Sequence, residues 1–153
     1  MRAPSPRAVA AVLAAAVLSW QAVGCAKPTP DVAAIRALEG DDTDVVVLLR
    51  EVDRVGARNG RDGARLLRDR VLPLARANAT RAVGLQPSHP RAQRLAETLA
   101  SLLERRVTLL ERYADALERD ATEALVDVLR AQRQLETELT RLHDQVEAAA
   151  QPR

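Results

Sequence analysis

Few side chains in this sequence have the chemistry for catalysis or metal binding, and their spacing narrows the options. The chain of 153 residues holds one cysteine, Cys25, and two histidines, His89 and His143. A single thiol forms no intramolecular disulfide, and one Cys with two distant His is not a Cys/His zinc set. His89 lies in the loop sequence Gly84–Pro90, and His143 has no imidazole four residues away. Both read as surface side chains. Asp41-Asp42-Thr43-Asp44 lacks the alternating acids, central Gly and distal Glu of a calcium loop, so these acids read as a helix N-cap and first turn. Asn78 falls on an apolar stripe. It either contacts a ligand or, as such residues more often do, bonds a neighbouring backbone group or sets helix register. No nucleophile–base pair, Gly-rich phosphate loop, dinucleotide fingerprint or C-x-x-C-H haem attachment occurs. The expectation is therefore a non-enzyme with no catalytic, cofactor-binding or metal-ligating residues. An enzyme would need ionisable groups converging in a cleft.

The thiol has a more specific context. Arg2 and Arg7 precede an apolar run of 11 residues, Ala8–Leu18, followed by Ser19-Trp20-Gln21 and then Ala22-Val23-Gly24-Cys25. The run suits a signal-peptide core and falls short of the roughly 20 residues that span a bilayer. Ala22-Val23-Gly24-Cys25 resembles the lipobox of bacterial lipoprotein precursors, with Ala22 where Leu is commonest. The resemblance covers only the first 25 or so residues. It implies diacylglycerol on the Cys25 thiol, cleavage between Gly24 and Cys25, and further acylation of the new N-terminus. With Ala26 rather than Asp after the cysteine, it implies the outer membrane in a Gram-negative cell. Ordinary secretory cleavage after Gly24 or Ala26, giving a soluble secreted chain, and an uncleaved weak anchor are the alternatives. Residues 1–24 are read as signal peptide, 25–30 as lipidated Cys and short tether, and 31–150 as a helical domain.

Composition limits the partners. Apolar residues make up 47% and charged residues 29%, a globular balance. Without Arg2 and Arg7 the 23 cations become 21, equal to the 21 acids, so the formal +2 is no argument for nucleic acid. Trp20 and Tyr113 are the sole aromatics, which leaves no base-stacking or carbohydrate-stacking platform.

The elements that must position these residues read as helices. Val32, Ile35 and Leu38 have helical spacing in a short segment 31–39 ending at Gly40, and Val45, Leu48, Leu49, Val52 and Val55 mark a second helix over 43–58. Gly56, Asn59, Gly60 and Gly63 read as its end and a turn. The stripe Ala64, Leu67, Val71, Leu74, Asn78 and Ala82 follows, with a kink or restart at Pro73. Pro90 suits the first turn of the next helix. Residues 91–151 contain no Gly or Pro. Their apolar positions run Leu103, Val107, Leu110, Ala114, Leu117 and Ala121, then from Leu125 to Ala149. Asp115/Arg119, Asp127/Arg130 and Glu138/Arg141 are spaced as ion pairs. A capping box at Asp120-x-x-Glu123 suggests a break, but the absence of a C-cap Gly favours one helix of about 90 Å at 1.5 Å per residue.

The fold class is thus all-α, a small helical bundle or hairpin with a long C-terminal amphipathic helix. A 90 Å helix would have more apolar face than the 43–83 segments cover, so unless it folds back the stripe needs another copy or another protein. The functional expectation is a membrane-anchored, non-enzymatic envelope scaffold or adaptor. The alternative is a periplasmic bundle holding a small ligand or metal, with Asn78 or His143 facing its interior.

Overall fold

A computed structural model of the chain describes residues 29–151. The expected signal peptide, the Gly24–Cys25 cleavage point and the lipidated thiol lie outside them. Apolar residues at steps of three and four give α1 (Pro30–Gly56), α2 (Gly60–Leu66), α3 (Leu72–Val83), α4 (Pro90–Glu118) and α5 (Thr122–Ala150). A π-helical turn, Leu67–Val71, joins α2 to α3 without a break in the rod. The result is an all-α bundle of four antiparallel rods, with α4 packed most extensively against α3 and α5.

α1 is a single helix of 27 residues, where the sequence suggested two. Gly40 is not a cap but an interior, exposed residue. The reason is the continuous buried stripe Val32, Ile35, Leu38, Val45, Leu49 and Val52, whose burial outweighs the roughly 1 kcal/mol that one interior glycine costs. Asp41–Asp44 therefore cap nothing. Nothing lies within 4 Å of a Cβ built on Gly40. Gly40→Ala is expected to stabilise the fold by about 0.5–1 kcal/mol, read as a raised urea midpoint with unchanged slope.

Asn59 caps α2, its Oδ1 accepting from the Arg61 and Asp62 backbone N–H groups. Gly60 and Gly63 belong to the helix rather than to a turn. Ahead of Pro73 the ladder widens, with Leu72 N–H bonding to the Leu67 carbonyl five residues back. That relieves the crowding a proline imposes on the turn before it.

The long C-terminal run folds back, contrary to the single helix expected. Asp120 adopts φ 52°, Ala121 N–H bonds to Ala116 O, and Asp120 N–H bonds to Leu117 O. These are the two bonds of a Schellman ending, with Asp rather than Gly in the left-handed position. The break falls beside the Asp120-x-x-Glu123 sequence, but Asp120 terminates α4. The position that caps α5 is Ala121, which makes no side-chain cap bond. Folding back places Leu103, Leu110, Leu117, Leu135, Leu142 and Val146 inside the bundle. The long apolar face is largely satisfied within one chain. Among the described residues the large exposed apolar side chains are Val47, Val83, Val126 and Leu129. Of the ion pairs read from spacing, Asp127–Arg130 forms; Asp115 pairs with Arg68 and Glu138 with Arg105 instead.

Candidate functional site, a cleft between α1 and α5

The apolar interior is divided in two. One cluster holds Val32, Ile35 and Leu38 of α1 with Leu95, Leu99 and Leu103 of α4 and Leu142 and Val146 of α5. The other holds Val45, Leu49 and Val52 with Leu67, Val71, Leu110, Tyr113 and Leu117. Where they meet, three helices each contribute one buried polar residue: Asp42 (8% exposed), Asn78 (1%) and Arg106 (5%). Asp42 follows Leu38 by four residues and Arg106 follows Leu103 by three, so both occupy core positions of their helices.

Arg106 Nη1 donates to Asp42 Oδ2 in a charge-assisted bond inside the bundle. Asp42 Oδ1 and both amide atoms of Asn78 have no protein partner. Burial pushes the Asp42 carboxyl above the usual carboxylate range, and the neighbouring Arg106 charge and the Asn78 amide only partly offset it. Asn78 thus influences Asp42 from outside strict hydrogen-bonding geometry.

α1 and α5 diverge over this layer and leave an open cleft of about 600 Å³ with α4 as its floor. α1 lines it with Glu39, Asp42, Val46 and Asp53, α4 with Leu99 and Arg106, and α5 with Gln132, Glu136, Leu139 and His143. One end is closed by Arg36, which donates from Nε and Nη2 to Glu147. That bond holds the Glu147 carboxylate below its ordinary value. Beside it, His143 Nδ1 lies 3.4 Å from Glu39 Oε2. Burial raises the Glu39 carboxyl despite that imidazole.

Tyr113, behind the cleft wall, donates its hydroxyl to Asp53 Oδ1 at 2.8 Å. Burial first, and the Asp53 carboxylate second, push the phenol well above its ordinary value of 10. The sign is that of a group whose neutral form the fold favours. Its contribution to stability is complete below pH 10 and declines as pH rises toward the raised value. As Tyr113 is the sole tyrosine, alkaline titration followed at 295 nm should show tyrosinate only together with loss of helicity. Tyr113→Phe should cost about 0.5–1.5 kcal/mol.

The residues singled out by sequence are thus partly brought together. Asn78 is in the interior, adjoining the buried pair. His143 lines the cleft mouth with its side chain largely exposed. His89 does not line the cleft; it is the N-cap of α4, its Nδ1 accepting from Arg91 N–H and its own backbone N–H donating to Asp31 Oδ2 of α1. Arg106 was not among the candidates, and Asp42 was read only as part of a helix cap, not as a core residue. The signal available for both was a charged residue in register with the apolar stripe. No group of three or more Cys, His, Asp or Glu side chains suited to a metal occurs among the described residues. No described helix is long and apolar enough to cross a membrane. No family model, curated protein or solved structure matches the chain.

Ionisable groups do converge here, which is the condition an enzyme would have to meet. Each already has a partner: Asp42 is held by Arg106, Asp53 by Tyr113, and Glu39 faces His143. Thr140, on the rim, donates its hydroxyl to the Glu136 backbone carbonyl and is not paired with a base. The arrangement offers hydrogen bonds and apolar contact to a guest.

Proposed function

We propose that this chain is a lipid-anchored, non-catalytic helical module of the bacterial cell envelope, acting as a scaffold or adaptor for protein partners. The observation that carries the reading is the lone Cys25, set after Ala22-Val23-Gly24 at the end of a short apolar run. α1 opens at Pro30, so a lipid on Cys25 would hold the bundle close to the bilayer: four residue steps to Thr29 span at most about 14 Å. Two or more acyl chains give durable anchoring where one does not. Palmitate labelling and intact mass of the chain expressed in a bacterial host test this, with Cys25→Ser as the comparison. The reading expects a lipid-sized mass addition on a chain beginning at Cys25, recovered with membranes, and its loss in the variant. An unmodified thiol on an uncleaved cytosolic chain would overturn it.

A second reading, a small-ligand module, is favoured by the orphaned polar atoms of Asp42 and Asn78 beside the cleft. A ligand bound to the folded state would raise the melting temperature in proportion to the logarithm of its concentration. A polar small-molecule panel that leaves the melting temperature flat would remove this reading.

A further inference from the structure

The bundle end remote from Thr29 has an uneven charge. Residues 54–70 contain six arginines and two aspartates, whereas residues 111–127 contain six acids and two arginines. The two segments are neighbours. Gly56, Gly60 and Gly63 all lie against Leu117, which brings the α1–α2 corner onto the α4–α5 corner. Their seam is closed by Arg68, which bonds Asp115 at 2.9 Å and Glu118 at 2.7 Å. Outside the seam, Arg54, Arg58, Arg61 and Arg65 are exposed and make no ion pair among the described residues. On the other side Asp120 and Glu123 are also exposed and unpaired, and Asp127 meets only Arg130 of its own helix. Val126, 50% exposed, and Leu129, 38% exposed, lie on this acidic side.

We propose that this end is a self-complementary surface at which two copies of the chain associate. The arginine side of each copy meets the acidic side, with Val126 and Leu129, of the other. The choice of a second copy follows from the charges. The surface carries a net +4 segment beside a net −4 segment, and a wholly acidic or wholly basic partner would suit one half and be repelled by the other. The same surface turned through a two-fold axis matches both halves at once. Single exposed ion pairs contribute little, so the association depends on several charges together and on burying the two apolar side chains. With the two copies side by side at this end, a two-fold axis along the bundle leaves both Thr29 ends on one side. That orientation rests on the anchored reading above; the association itself does not.

Sedimentation equilibrium of the full chain carrying Cys25→Ser, in a density-matched nonionic detergent, tests the proposal at about 20 mM and about 500 mM salt. A monomer–dimer equilibrium is expected, with an association constant at least about tenfold lower in high salt. Arg61→Glu/Arg65→Glu should be monomeric, as should Glu123→Arg/Asp127→Arg, and an equimolar mixture of the two should restore the dimer. Glu123→Arg alone serves as the acidic-side variant if the double change alters helicity. A monomer under both conditions, a dimer indifferent to salt and to charge reversal, or a mixture that stays monomeric would overturn it. Since lipid attachment does not enter these readouts, a failed anchor and a failed dimer give different results.

Discussion

Asp42→Ala is expected to cost about 3–5 kcal/mol of unfolding free energy, measured as the displaced urea midpoint, because it leaves the Arg106 guanidinium buried with no counter-charge. Arg106 is 5% exposed, and its bond to Asp42 is its one hydrogen bond to a described side chain. The loss far exceeds that from cutting an exposed pair. Arg130→Ala, which removes the ion pair with Asp127, should change stability by less than about 1 kcal/mol. Replacing both partners, Asp42→Leu with Arg106→Leu, should recover most of the loss, since apolar groups of similar size avoid the desolvation that the ions undergo. If the double variant is as unstable as Asp42→Ala, the cost comes from packing around the layer. If the double variant recovers, the pair's expected contribution in the wild type is helix register rather than stability, since it lies level with Asn78 between the two apolar clusters.

The second large effect lies at the α1–α2 corner. A Cβ on Gly60 would sit 2.5 Å from the Leu117 carbonyl oxygen, and a Cβ on Gly63 would sit 2.7 Å from Gly56 Cα. Both obstacles are backbone, which cannot swing aside as a side-chain end does. Gly60→Ala and Gly63→Ala are each expected to destabilise by about 1–3 kcal/mol in chemical denaturation, against the gain of up to about 1 kcal/mol that alanine gives in an open helix. Gly40→Ala, with nothing within 4 Å of the added carbon, is the internal control with opposite sign. Neutral or stabilising results at both Gly60 and Gly63 would mean that the corner is looser than this contact.

These two regions show where local sequence is sufficient and where it is not. Gly40 and Gly63 are the same residue type in similar polar surroundings, and both were read as helix-ending or turn residues. Both are helical, one because a long stripe runs past it and the other because a neighbouring backbone needs its missing side chain. At Asp120, waiting for a glycine to end α4 favoured a continuous helix. Aspartate tolerates the left-handed conformation well enough when the Schellman bonds and the buried faces on both sides reward the turn.

The spacing of apolar residues was enough to determine that the described chain is all helical and which faces turn inward, and its Gly and Pro residues that a loop precedes Pro90 and that Pro73 is an irregularity. Those features depend on a 3.6-residue repeat and on backbone chemistry, both local. The tertiary structure decided that α1 runs through Gly40, that the C-terminal run doubles back, that Asp115 and Glu138 look across helices for their arginines, and that Asp42 and Arg106 share the core with Asn78. The first two of those choices turn on about 1 kcal/mol of local preference set against burial energies several times larger, and the pairings follow from which helices that burial brings side by side. Burial is defined only once distant segments have come together.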